Sequence, residues 1–195
     1  MSQAALARLL TRIRACEICA EHLPLGPRPV LRAHAKSKVL VIGQAPGTAV
    51  HASGVPWDDP SGRRLRDWLG VDEAAFYDER RFGIVPMGFC YPGKGKGGDL
   101  PPRQECAPEW HPGLLELMPD VQLVLLIGRY ALDRYLELPK GETLAATVRA
   151  YRTHGPRFLP LPHPSPRNNR WLRNNPWFES EVLPFLKGRI QGLLS

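Results

Sequence analysis

The sequence predicts an α/β fold, a three-layer α/β/α sandwich around a mostly parallel, four-stranded central sheet. Three observations carry this expectation. Four short, β-rich apolar runs alternate with segments whose apolar residues recur every three or four positions, which is the signature of strands interleaved with helices. The 21 prolines and 18 glycines cluster between these elements, as in PGKGKGG and LPLPHPSPRNN, and so describe a rigid scaffold carrying shaped loops. The length, 195 residues, suits one domain with a substantial core and is short for two, so residues 1–195 read as a single domain.

Taken in order, Ser2 is placed to cap a first helix that ends near Cys16, with Leu6, Leu9, Leu10 and Ile13 as its apolar face. Lys38–Gly43 (KVLVIG) reads as a buried parallel strand closed by glycine. A loop from Gln44 to Pro60 follows, and Ser61 then has the character of a cap for a helix through Leu65, Trp68 and Leu69. Phe82–Phe89 reads as the second strand, and the glycine-rich stretch after it as irregular. Pro101-Pro102 is expected to open a helix reaching about Met118. Val121–Ile127 is the clearest strand, with a helix from Gly128 to Leu138 directly behind it. Arg157–Leu161 is a short strand leading into HPSP. Asn175 and Pro176 suit the start of a last helix with Phe178, Val182, Phe185 or Leu186, and Ile190 as its stripe. In such sheets ligands bind beyond the carboxyl ends of the strands, where the loops 44–60, 90–101 and 162–175 are expected to converge.

The net charge of +7 is large for this size, and a basic surface draws polyanions, of which nucleic acid is the commonest. No run approaches the roughly 18 apolar residues of a membrane span. Arg8, Arg12 and Arg14 interrupt the region where a signal peptide would need its apolar core, so a cytoplasmic protein with no membrane association is expected.

The four cysteines are Cys16-x-x-Cys19, Cys90 and Cys106. The close pair has the bite of a metal site, and a reducing cytoplasm argues against disulfides. Four thiolates suit tetrahedral zinc or an iron–sulfur cluster, and spacing alone does not separate the two.

GQAPG after a strand, SGVPWDDPSG, a cysteine-bearing loop and HPSPRN follow one another in an order that resembles the iron–sulfur families 4 and 5 of the uracil-DNA glycosylase superfamily, from Cys16 to about Asn169. The resemblance implies a monomeric DNA-repair glycosylase. It also implies that Cys16, Cys19, Cys90 and Cys106 ligate a structural [4Fe–4S] cluster, with zinc as the alternative. By the same resemblance Gly43, Gln44, Ala45, Pro46 and Gly47 lie beside the base pocket, and Trp57 stacks on the flipped base. Asp59, in Asp59-Pro-Ser-Gly62, corresponds to an aspartate that activates water, while His163, Ser165 and Asn168 contact the base carbonyl and the phosphates.

The chemistry asks for these residue types. Breaking an N-glycosidic bond builds negative charge on the departing base and positive charge on the sugar, after the nucleotide has swung out of the duplex. An aromatic such as Trp57 offers the base a π-face, worth about 1–3 kcal/mol. A donor such as His163 stabilises the leaving anion, and a carboxylate such as Asp59 orients water. Asp59 could equally help to cap the following helix. Ser61, Lys94, Arg167 and Arg170 are the candidate DNA contacts. The sequence also departs from the families. Gln44 stands where family 4 has an acid, Ala45 where the most efficient uracil enzymes have Asp, and Val85–Phe89 contains no amide to read a uracil edge. These departures motivate a second reading, a catalytically weak member that binds nucleic acid or DNA damage.

Overall fold

Strand residues here alternate strictly between two cores. Leu40, Ile42, Val124 and Leu126 pack on one face of the sheet, while Val39, Val41, Leu123, Leu125 and Ile127 pack on the other. Period-two alternation with both faces apolar requires helices above and below, and the computed structural model, which describes residues 3–195, shows them.

The sheet is formed by β1 (Val39–Ile42), β2 (Phe82–Ile84), β5 (Leu123–Ile127) and β6 (Phe158–Leu161), in the order β2-β1-β5-β6 and all parallel. One core is closed by α1 (Gln3–Arg14), α5 (Cys106–Glu116) and α6 (Arg129–Tyr135). The other is closed by α3 (Pro60–Leu69), α7 (Leu144–Arg149) and α9 (Leu183–Leu194). Shorter helices α2 (Thr48–Ser53), α4 (Glu73–Tyr77) and α8 (Asn169–Asn174), and a two-stranded hairpin of β3 (Lys94–Gly95) and β4 (Gly98–Asp99), complete the chain. The outer edge of β2 is covered by Arg32, whose backbone exchanges two hydrogen bonds with Ile84 of 2.9 and 2.7 Å. Because all four strands are parallel, the loops after β1, β2, β5 and β6 emerge at one end. There β1 leads to a neighbour on one side and β5 to a neighbour on the other, which opens a crevice between them.

Several sequence expectations are corrected. Ser61 is not the cap of α3. Asp59 is, with Oδ1 accepting the Gly62 N–H at 2.7 Å, because Pro60 with its fixed φ fits the first helical position and leaves Ser61 one step inside. The 44–60 loop contains α2, and the glycine-rich stretch is the β3–β4 hairpin rather than irregular chain. Phe82–Phe89 is a strand only to Ile84, beyond which Pro86 has no N–H to donate; the chain still follows β1, through Val85 N–H to Val41 O and Met87 N–H to Gly43 O. Pro101-Pro102 does not open α5, since a residue before proline is driven extended and the helix begins only at Cys106. The helix behind β5 stops at Tyr135, short of Leu138.

Asn175 does not cap the last helix. Its side-chain amide donates to Trp171 O at 2.8 Å, and the chain passes through a π-helical segment, Phe178–Val182, into α9. The expected stripe of Phe178, Val182, Leu186 and Ile190 is buried. A spacing of four runs ahead of the α-helical turn, and the wider π turn takes up the difference. Helices α4 and α7, capped by Asp72 and Thr143, were not anticipated, and the expected cap Ser2 lies outside the described residues.

Candidate functional site

At the carboxyl end of β1 a cavity is lined by Gly43, Gln44, Ala45, Pro46, Gly47, Trp57, Asp59 and His163, with Val30, Ile84 and Pro86 among its apolar walls. Trp57 is held in the left-handed region at φ 60°, and it is the one non-glycine residue there among the described residues. Such a backbone costs on the order of 1–3 kcal/mol and persists only where its surroundings fix it. They do so here. A Cβ on Gly62 would lie 1.7 Å from Trp57 O, and one on Gly43 would lie 2.8 Å from the indole ring, so both glycines make room for this tryptophan. Upstream, Tyr77 donates its hydroxyl to Pro56 O at 2.9 Å.

The indole ring faces the imidazole of His163, with centroids 5.4 Å apart and planes 32° apart. The Ser165 N–H donates to His163 Nδ1 at 3.2 Å, and Asn168 Nδ2 donates to His163 O at 2.7 Å. With Nδ1 accepting, the ring proton resides on Nε2, so the neutral imidazole presents an N–H donor. Burial pushes the His163 pKa below the ordinary histidine value, against the opposing pull of the Asp59 and Asp99 charges, and this favours the neutral form. Asp59 has Oδ1 engaged in capping α3, and its Oδ2 has no hydrogen-bond partner among the described residues.

The loops around the cavity are strapped together. Gln44 Nε2 donates to Leu100 O at 3.4 Å, Arg167 Nη1 to Gly97 O at 3.2 Å, and Arg64 Nη1 to both Ser165 O at 3.3 Å and Asn169 Oδ1 at 2.8 Å. The β3–β4 hairpin is thereby tied to the loop after β1 and to the loop after β6, and α3 is tied to the latter.

Of the sequence-derived candidates, the eight residues from Gly43 to Gly47, Trp57, Asp59 and His163 meet in this cavity. Ser165 and Asn168 stand behind His163 and orient it. Lys94, Arg167 and Arg170 are exposed outside the cavity, while Ser61 is buried in the first turn of α3. Sequence reasoning missed Arg64 and Asp99. Arg64 acts across 101 residues of chain and has no local signal. Asp99 sat in a stretch read as irregular.

The four cysteines line a second cavity, with Ile18, Phe89, Arg103 and Trp110 among its other walls. Among the described residues there is no group of three or more His, Cys, Asp or Glu side chains that could hold a metal ion. Burial, and secondarily the neighbouring sulfurs, push Cys90 up to about 11; the same burial and sulfurs push Cys106 up to about 12, while burial also raises Cys19. Phe89 N–H donates to Cys106 Sγ at 3.4 Å. The indole N–H of Trp110 is buried with no acceptor.

Between the two cavities runs the segment 85–90. Its Pro86 lines the first and its Phe89 and Cys90 the second. His111 of α5 sits beneath it, stacked between Phe89 and Tyr135, with Nε2 bonded to Pro86 O at 3.0 Å and Nδ1 to the Tyr135 hydroxyl. A carbonyl only accepts, so Nε2 carries the proton and Tyr135 donates to Nδ1. Burial pushes the His111 pKa down to about 4, in keeping with this neutral ring.

The architecture and the sequence find counterparts among known proteins. The solution NMR structure of a candidate uracil DNA glycosylase from Methanosarcina acetivorans superposes with a TM-score of 0.51 at 18% identity, over 83% of this chain and 98% of that one, and so shares the fold. The sequence pattern of the uracil DNA glycosylase superfamily matches residues 32–187, which span the sheet, the Trp57 and His163 loops and two of the four cysteines. The chain belongs to the uracil DNA glycosylase superfamily.

Proposed function

We propose that this protein is a monofunctional DNA N-glycosylase that hydrolyses the N-glycosidic bond of uracil or another deaminated base. The observation that carries the reading is the fixed tautomer of His163. Its Nδ1 is filled by the Ser165 N–H, and its Nε2–H is a donor at the wall of a cavity that also presents the Trp57 ring. In this reading the target nucleotide leaves the duplex and its base stacks on Trp57. Water attacks C1′ of the sugar, the bond from C1′ to the base nitrogen breaks, and the electron pair departs with the base. The His163 Nε2–H stabilises the resulting oxyanion, and the free oxygen of Asp59 orients the water and accepts its proton. No lysine lines the cavity among the described residues, which supports water rather than an amine as nucleophile. Exposed Lys94, Arg167 and Arg170 at the rim are suited to the DNA backbone.

Base release from short DNAs carrying uracil, hypoxanthine or xanthine, by wild type and Asp59→Asn, tests this. Release by wild type that falls at least tenfold in the variant is expected. Full activity in the variant removes Asp59 from the mechanism. A specific observation favours a second reading, a damage-binding member without efficient catalysis: no acid stands at Gln44 or Ala45, and one oxygen of Asp59 is committed to the helix cap. DNA binding without release of any base would select it.

We also infer that Cys16, Cys19, Cys90 and Cys106 hold a [4Fe–4S] cluster. The residues fit such a group: all four cysteines line one cavity, a backbone N–H is directed at Cys106 Sγ, and the buried Trp110 indole N–H has no acceptor among the described residues. The cluster would supply a structural crosslink and no step of the hydrolysis. Iron and acid-labile sulfide in anaerobically purified protein support it, whereas one bound zinc replaces it by the alternative.

A further inference from the structure

The base cavity as described so far has a donor and a stacking face, but recognition of a deaminated base calls for an acceptor as well. Deamination turns the ring-nitrogen acceptor of cytosine or adenine into an N–H, beside a new carbonyl. An enzyme that tells the product from its parent base needs a donor for that carbonyl and an acceptor for that N–H, side by side. His163 is the donor. The segment 85–89 has no side-chain amide, and the carbonyl of Pro86, its one residue lining the cavity, is taken by His111. Asp59 Oδ1 is taken by Gly62, and its Oδ2 is the oxygen assigned to the water.

A carboxylate outside these elements approaches the mouth of the cavity from the hairpin side, against Gly47. Asp99 ends the β3–β4 hairpin, and its Oδ2 is 3.4 Å from where a Cβ on Gly47 would stand, against the loop that lines the cavity. Its charge bears on His163. No hydrogen bond or ion pair engages the Asp99 carboxylate among the described residues, although Lys94 lies opposite it in the hairpin. The hairpin is built to stay there. Gln44 and Arg167 donate to Leu100 O and Gly97 O, and Gly98, at φ 138°, leaves the space where a Cβ would collide with Arg167 Nη1 at 1.9 Å.

We propose that Asp99 is a substrate-contacting specificity residue, whose carboxylate accepts the ring N–H of the flipped base while His163 donates to the adjacent carbonyl. This rests on the glycosylase reading and names its substrate class, bases presenting an N–H beside a carbonyl. Cytosine and adenine present a lone pair at that nitrogen, which meets the carboxylate as a repulsion. Thymine and guanine share the favoured edge, so the pair separates a deaminated base from its parent and leaves other discrimination to the shape of the cavity.

The test compares wild type with Asp99→Ala on DNA containing uracil or hypoxanthine and on the same DNA with the ring nitrogen methylated. Single-turnover base release is measured, together with binding to non-hydrolysable 2′-fluoro versions. Asp99 is exposed, so the variant keeps its fold. Wild type is expected to prefer the unmethylated bases, and the variant to lose about 10- to 100-fold on them while its rate on the methylated bases stays unchanged. Equal preference in both proteins overturns the inference. Lesion-selective binding that depends on Asp99, with no base released by wild type, removes the hydrolytic reading and leaves the inference standing. Wild type that neither releases nor distinguishes these bases overturns both.

Discussion

The two cavities share the segment 85–90 and differ in how their walls are built. The base cavity is completed by the chain itself. Glycines accommodate a strained tryptophan, a backbone N–H fixes the tautomer of a histidine, and three side-chain straps hold the loops. In the cysteine cavity burial holds the Cys90 and Cys106 thiols well above their ordinary pKa, and the Trp110 indole N–H is buried without an acceptor among the described residues. The base cavity is preorganised by the chain alone, whereas the cysteine cavity, in the cluster reading proposed above, would be completed by its metal. The segment 85–90 contributes to the walls of both, so the two sites are mechanically joined.

The largest expected effect comes from breaking the cysteine side. Cys90→Ser should remove bound iron and most of the folded population, read by metal analysis and circular dichroism, because metal binding in such sites is folding free energy. A variant that keeps its fold and its base release would show that the two cavities are independent. Breaking the base side should be the reverse, a loss of chemistry with the fold intact. His163→Ala is expected to lower base release about 10²–10³-fold, with an unchanged melting temperature. Since burial lowers its pKa, any decline of the wild-type rate that follows His163 protonation should set in at a lower pH than for an ordinary histidine.

The smallest effect probes the link between them. His111 titrates at about 4 in the fold against 6.5 for the free side chain. Below 6.5 the unfolded chain takes up a proton that the native state refuses, so stability falls with falling pH until the native pKa is reached. At about pH 5.5 the loss is on the order of 1 kcal/mol relative to neutral pH. Denaturant unfolding should show this component in wild type and not in His111→Gln.

The sheet was legible because β1 and β5 are buried on both faces and therefore read as unbroken apolar runs. That the Trp57 and His163 loops would meet was legible because both follow parallel strands, at whose carboxyl ends loops converge. What escaped was decided by contacts remote in sequence or by backbone geometry. The cap of α3 fell to Asp59 rather than Ser61 because a proline stood between them. The hairpin at Lys94–Asp99 is two residues a side and shows no alternation to read. Its position over the cavity depends on Gln44 and Arg167, which lie 56 and 70 residues from their partners in the chain.

Trp57 also sets two kinds of selection against each other. Its φ of 60° is a conformation that asparagine or glycine adopts at less cost, so Trp57→Asn would relieve the backbone and remove the ring proposed to stack on the base. A search for heat-resistant variants of this protein, made without regard to repair, would be drawn to this position. A lineage still under demand for base excision would be expected to keep the tryptophan and bear the lower stability.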